Sequence, residues 1–183
     1  AVKVMWKHFS AKRTAIALAL LAFMAMGQDV WAADDQASIV RGGRLYANWF
    51  EELKESAPAV VHRAYPAAGR YGGAPGATWR CKECHVWDYR GRDGAYSSGG
   101  HFTGIKGIGA MAGADPAAIA AILKDENHGY AEKMADQDLG DLANFVSRGQ
   151  VDMDAFIDRK TGKAKGDALR RKDYYNTICA NCH

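Results

Sequence analysis

Apolar residues recur at helical spacing in four stretches of the chain, with polar or glycine-rich segments between them. Over Ala37 to Leu53, the side chains of Ile39, Leu45, Tyr46, Trp49, Phe50 and Leu53 share one face of a 3.6-residue period, which predicts a helix. Gly42 and Gly43 weaken that helix slightly or let a neighbour approach it closely. Asp115-Pro116 is a helix start, a capping carboxylate followed by proline at the first helical position. The helix it opens runs to about Lys124 and turns Ile119, Ile122 and Leu123 inward. A third helix is predicted over about Gln137 to Ser147, with Asp136 near its cap and Gly149 just past its end. Leu139, Leu142, Phe145 and Val146 mark its buried face. A fourth begins at Asp167 and leads through Leu169, Tyr174, Tyr175 and Ile178 into Cys179. Residues 56–80 read as loop because of Pro58, Pro66, Pro75 and several glycines, residues 86–113 hold eight glycines, and residues 151–166 read as a linker.

Composition adds little to this picture, since 48% hydrophobic and 25% charged residues are ordinary for a folded soluble protein. Charge adds more. Lys3, Lys7, Lys12 and Arg13 stand against Asp29 alone, so residues 1–33 carry all of the net +3 and the remainder is formally neutral. A generic attraction to nucleic acid is therefore not expected. The same segment has the plan of an export signal: a basic start, an apolar run from Ala15 to Met26, and small residues flanking Trp31 at the cleavage position. Twelve apolar residues reach only about 18 Å as a helix, short of the roughly 30 Å hydrocarbon core. Residues 1–32 are read as a cleavable signal and the protein as periplasmic, with a membrane-tethered form as the alternative.

The four cysteines carry the chemistry. Cys81-Lys82-Glu83-Cys84-His85 and Cys179-Ala180-Asn181-Cys182-His183 are both Cys-x-x-Cys-His, with no cysteine left over. This spacing is the covalent haem c attachment signature: two thiols on one side of a helical turn and an imidazole directed at the iron. Zinc ribbons place paired Cys-x-x-Cys motifs about 15–20 residues apart; here the motifs lie 98 positions apart and each is followed by His. No strand-rich stretch precedes either motif, as a thioredoxin-like dithiol requires. Disulfides between cysteines so close in sequence would close loops of little stabilising value.

On these motifs, and on the helix pattern around them, residues 38–183 resemble the cytochrome c superfamily, specifically a diheme c-type cytochrome of the bacterial periplasm. The resemblance implies an all-α fold: a helical domain around one covalent haem over residues 33–150, a linker over 151–166, and the start of a second such domain over 167–183. It implies two haem c groups. Cys81, Cys84, Cys179 and Cys182 would be their thioether attachments, and His85 and His183 their proximal iron ligands. The first helix would pack across a later one. Family members often carry a proline soon after the proximal His whose carbonyl orients the imidazole; residues 86–115 contain none, so the partner of His85 is not identified.

The sixth iron ligand separates carrier from catalyst, because a filled position suits electron transfer and an open one admits substrate. The resemblance makes Met134 the distal ligand of the first haem, in the turn before the last helix of its domain. Met111 is the next candidate, His101 and His128 follow, and Met153 in the linker is least favoured; His62 is the remaining histidine outside the motifs. The resemblance implies single-electron transfer between respiratory partners, a quinol-oxidising complex or dehydrogenase upstream and an oxidase or reductase downstream, with association with a membrane complex an option. The alternative is a diheme oxidoreductase with one catalytic haem, similar to thiosulfate dehydrogenases or cytochrome c peroxidases. A haem-based sensor is weaker, since no signalling module is visible. A local excess of positive charge between Arg159 and Lys172 is either an exposed linker face or a docking patch for an acidic redox partner.

Overall fold

The computed structural model describes residues 35–180. The expected export signal, together with Cys182 and His183, lies outside the described residues. Residues 35–52 form α1, whose apolar face buries Leu45, Tyr46 and Trp49 almost completely. Each of these large side chains contributes about 1.5–3 kcal/mol through burial. α1 crosses α4 (Asp136–Arg148) at close range, and the glycine pair is what permits it. A Cβ on Gly42 would sit 2.0 Å from the Asp141 carbonyl oxygen, and Gly43 lies against the Phe145 ring. Polar bonds fix the crossing on its outer side. Arg41 pairs with Asp138 and, at 2.6 Å, with Asp141, while Ser38 donates to Asp141 and accepts from Asn144.

α3 (Pro116–Leu123) packs against α4 through Ile119 and Leu123. Its start is the expected one, with the Asp115 carboxylate accepting from the Ala117 N–H at 3.0 Å. Ile122 departs from expectation. It is 41% exposed, because an eight-residue helix lying on the surface buries only the Ile119/Leu123 stripe and leaves the flanking position outside. In α4 the expected face is the buried one: Leu139, Leu142, Phe145 and Val146 all join the core. Ala135 caps α4 without a side-chain oxygen, and Asp138 compensates by accepting from the Ala135 N–H at 3.0 Å.

The segment between α1 and α4 is ordered more tightly than its glycine and proline content suggested. Residues 55–74 are irregular and lead into a 3-10 helix, Pro75–Trp79, then into the short α2 (Cys81–His85). Tyr65, His62, Thr78 and Trp79 of this stretch are buried. After α4 the expected linker contains a small hairpin. β1 (Ile157–Asp158) pairs antiparallel with β2 (Lys163–Ala164), Ile157 opposite Ala164, around a turn in which Gly162 takes φ +67°. These are the only strands among the described residues, and helices supply the rest of the regular structure. α5 (Ala168–Tyr174) follows and continues as a π-helical turn, Tyr175–Cys179. No described helix is long and apolar enough to cross a membrane.

Candidate functional site

Cys81, Cys84 and His85 share the single turn of α2, which the core grips at both ends. At its entry the Trp79 carbonyl accepts from the Trp49 indole N–H at 3.1 Å and from the Tyr130 hydroxyl at 2.8 Å. The Trp79 indole itself donates to the Val60 carbonyl at 2.7 Å. At its exit the buried Tyr46 hydroxyl donates to the Val86 carbonyl at 2.6 Å. Val86 terminates the helix with φ +65° and ψ +164°, a region that suits glycine. A branched side chain held there, 2% exposed, marks a backbone constrained by its surroundings.

Both motif thiols are free. Burial pushes the Cys81 thiol up to about 11 and the Cys84 thiol up to about 12, so both stay protonated at neutral pH. A redox dithiol or a thiolate metal site needs the opposite shift. Among the described residues, no three His, Cys, Asp or Glu side chains gather into a protein-only metal cage. The arrangement is instead one of paired neutral thiols beside a single oriented imidazole.

That orientation has a definite source. The His85 Nδ1–H donates to the Lys106 carbonyl at 2.9 Å. A carbonyl only accepts, so the ring proton is on Nδ1 and Nε2 keeps its lone pair. Burial also lowers the His85 pKa, favouring the neutral ring. Glycines in the loop make the approach of Lys106 feasible. Gly91, at φ +56°, bridges to Lys106, and a Cβ there would lie 2.4 Å from the Ile105 carbonyl; Gly107 passes as closely to Tyr89. The Ile108 and Gly109 N–H groups both donate to the Tyr89 carbonyl, at 2.8 and 2.9 Å, which closes the loop.

The remaining candidates fall in different places. Met134 is 5% exposed, within the apolar core that also contains Cys81, Tyr130 and Leu139. Met111 is half-buried against that core, and Met153 lies in a short 3-10 turn, Met153–Ala155. His101 stacks on Tyr96 at 4.7 Å, beside the buried Glu83 of the motif, which pairs with Arg80 at 3.0 Å. Among the described residues, His128 is the one histidine whose ring pairs with the motif imidazole: the His85 and His128 centroids are 6.4 Å apart, with planes at 23°. Its Nδ1–H donates to the Asp125 carboxylate at 3.0 Å, and its backbone N–H donates to the same oxygen at 2.8 Å. Those two bonds hold the Asp125 carboxyl below the usual carboxylate range.

Three further participants were not favoured on spacing or motif. His62 is buried, donates from Nε2 to the His128 carbonyl at 3.0 Å, and accepts at Nδ1 from the Ala64 N–H at 3.1 Å. Trp79 and the Lys106 carbonyl are the others, and a loop assignment hid all three. A cleft of about 640 Å3 opens between residues 66–70 and 99–103, but none of its lining belongs to the motif. In the expected basic patch, Arg159 is engaged with Asp154 and, at 2.8 Å, with Asp88, so it does not stand as an unpaired charge. Cys179 closes the π-helical turn, while Asn181, Cys182 and His183 lie outside the described residues.

The donor set around α2 fits a haem c group: two free, neutral thiols and an imidazole with its Nε2 unused. No family model, curated protein or solved structure matches the chain.

Proposed function

We propose that this chain is a c-type cytochrome that carries single electrons between redox partners in the periplasm. The observation that carries this reading is the hydrogen bond from His85 Nδ1–H to the Lys106 carbonyl, on the turn that also presents Cys81 and Cys84. That bond fixes the tautomer, limits ring rotation and raises the basicity of Nε2, as the outer partners of metal-bound histidines do. When bound, the haem supplies one-electron cycling between Fe(III) and Fe(II), with no substrate bond made or broken.

The chain's own residues have separable tasks. Cys81 and Cys84 would hold the haem as thioethers, His85 would supply an iron ligand, and the Lys106 carbonyl orients its ring. The aromatic grip on Trp79 and Val86 keeps α2 rigid, and the packed core of Trp49, Tyr130 and Met134 limits water near the site. Cys179, Cys182 and His183 repeat the motif and would hold a second haem. The basic start and apolar run of residues 1–32 support export, which agrees with the compartment in which bacteria attach haem c. Partners of this reading are protein donors and acceptors of the respiratory chain.

Expression of the full chain with a periplasmic haem c maturation system tests it. Covalent haem should survive acid-acetone extraction in a ratio of two per chain, and Cys81→Ala with Cys84→Ala should remove one of the two. A chain that matures with no covalent haem, under conditions that load a control cytochrome, overturns the proposal.

A further inference from the structure

We infer that His128, not Met134, is the distal ligand of the first haem, and that Asp125 and His62 are its positioning residues. The inference rests on the haem reading above and deepens it. Its ground is the geometry of two rings. With a metal–nitrogen bond of about 2.0–2.1 Å and roughly 1.1–1.2 Å from nitrogen to ring centre, two imidazoles on opposite sides of one metal would have centroids about 6.2–6.6 Å apart. His85 and His128 are 6.4 Å apart, their planes within 23° of parallel.

The hydrogen bonds point the same way. In both rings Nδ1 is occupied, by the Lys106 carbonyl for His85 and by the Asp125 carboxylate for His128. Each ring is thereby left with Nε2 as its lone-pair nitrogen. Two imidazoles 43 positions apart in sequence thus present the same nitrogen in the same tautomer. His128 is also braced from behind, because His62 Nε2–H donates to its carbonyl and Asp125 holds its backbone N–H. Nothing comparable directs the thioether of Met134, which packs among apolar side chains of the core, where methionine is a common filler.

Optical, electron-paramagnetic and redox measurements on the haem-loaded full chain test the assignment, with Cys179→Ala and Cys182→Ala introduced to silence the second motif. The expected spectrum is low-spin, lacks a sulfur-to-iron charge-transfer band, resists carbon monoxide, and is unchanged by Met134→Leu. His128→Ala should turn the haem high-spin and open it to carbon monoxide, and added imidazole should restore the low-spin form. His101→Ala should change none of these, and Asp125→Asn should raise the reduction potential while leaving the low-spin spectrum in place.

A sulfur-to-iron band that Met134→Leu abolishes overturns the inference, as does a native haem that binds carbon monoxide rapidly. If His128→Ala fails to fold, the native spectrum and the Met134→Leu variant still decide between the two ligands. Absence of covalent haem at Cys81 and Cys84 is a separate outcome, and it overturns the function rather than the ligand.

Discussion

The two Cys-x-x-Cys-His segments share a local sequence pattern, and the described residues that lead into them are packed differently. The first sits inside a closed core: α2 is bonded to Trp49, Tyr130 and Tyr46, and its imidazole to a carbonyl 21 residues onward. The approach to the second, α5 and the π-helical turn to Cys179, leaves Leu169 80% exposed and Tyr175 also exposed. A local motif therefore does not by itself set how it is packed. Orientation of the His85 ring and burial of α2 come from residues 20 to 50 positions away, which fold back onto the motif.

The comparison predicts where the chain's stability resides, and the α1–α4 crossing is the place to break it. Gly42→Ala forces a Cβ to within 2.0 Å of a backbone oxygen that cannot yield without separating the helices. The expected loss exceeds the usual overpacking range and is about 3 kcal/mol or more. Gly140→Ala, on α4 beside Asp141, meets nothing within 4 Å and should stabilise by about 0.5–1 kcal/mol. Leu169→Ala on α5 should cost less than about 0.5 kcal/mol, as a solvent-facing change does. Urea melts of the three variants give the ordering directly. A Leu169→Ala loss comparable to that of Gly42→Ala would show that α5 is held by contacts its exposure does not reveal.

What was legible in the chain was whatever repeats or caps. The α1 and α4 faces follow from spacing, Asp115-Pro116 fixed the start of α3, and the motif names itself. Boundaries moved by one or two residues, from 37–53 to 35–52 for α1. The site's supports were not legible, for physical reasons. Every residue offers a carbonyl, so nothing in the sequence distinguishes Lys106 as the acceptor for His85. His128 stands in a polar turn, Asp125 to Gly129, where a lone histidine reads as a solvated side chain. His62 and Trp79 belong to a stretch whose prolines and glycines hide that it contributes to the core. The β1–β2 hairpin, two residues per strand, is too short for alternation to show.

A smaller effect separates the two regions by pH. His62 is neutral by construction: one nitrogen donates to the His128 carbonyl, and the other accepts from the Ala64 N–H, which would face a proton if the ring charged. Burial accordingly lowers its pKa. Below the ordinary histidine value, about 6.5, the unfolded chain binds a proton that the folded chain refuses, so stability is lost as pH falls. His62→Gln keeps a neutral donor and removes the titration. The variant should show a shallower fall in melting temperature than the parent between neutral and mildly acidic pH. Equal slopes in the two proteins would remove His62 from the account of the closed region.

Val86 provides the finest test of how firmly the first motif is held. Its backbone lies at φ +65° and ψ +164°, and its side chain is 2% exposed. A non-glycine residue in that region carries about 1–3 kcal/mol of strain, while burying valine contributes about 1.5–3 kcal/mol. Glycine at this position loses the packing and relieves the strain, so Val86→Gly should fall within about 1 kcal/mol of the parent. Val86→Ala loses most of the packing and keeps a Cβ in the strained region, so it should cost about 2 kcal/mol. The usual preference for alanine over glycine is thus inverted at this one position. Denaturant midpoints of the two variants read the inversion directly. Alanine proving the more stable would mean that the backbone after His85 relaxes, and that the Tyr46 hydrogen bond to the Val86 carbonyl does not hold the motif rigid.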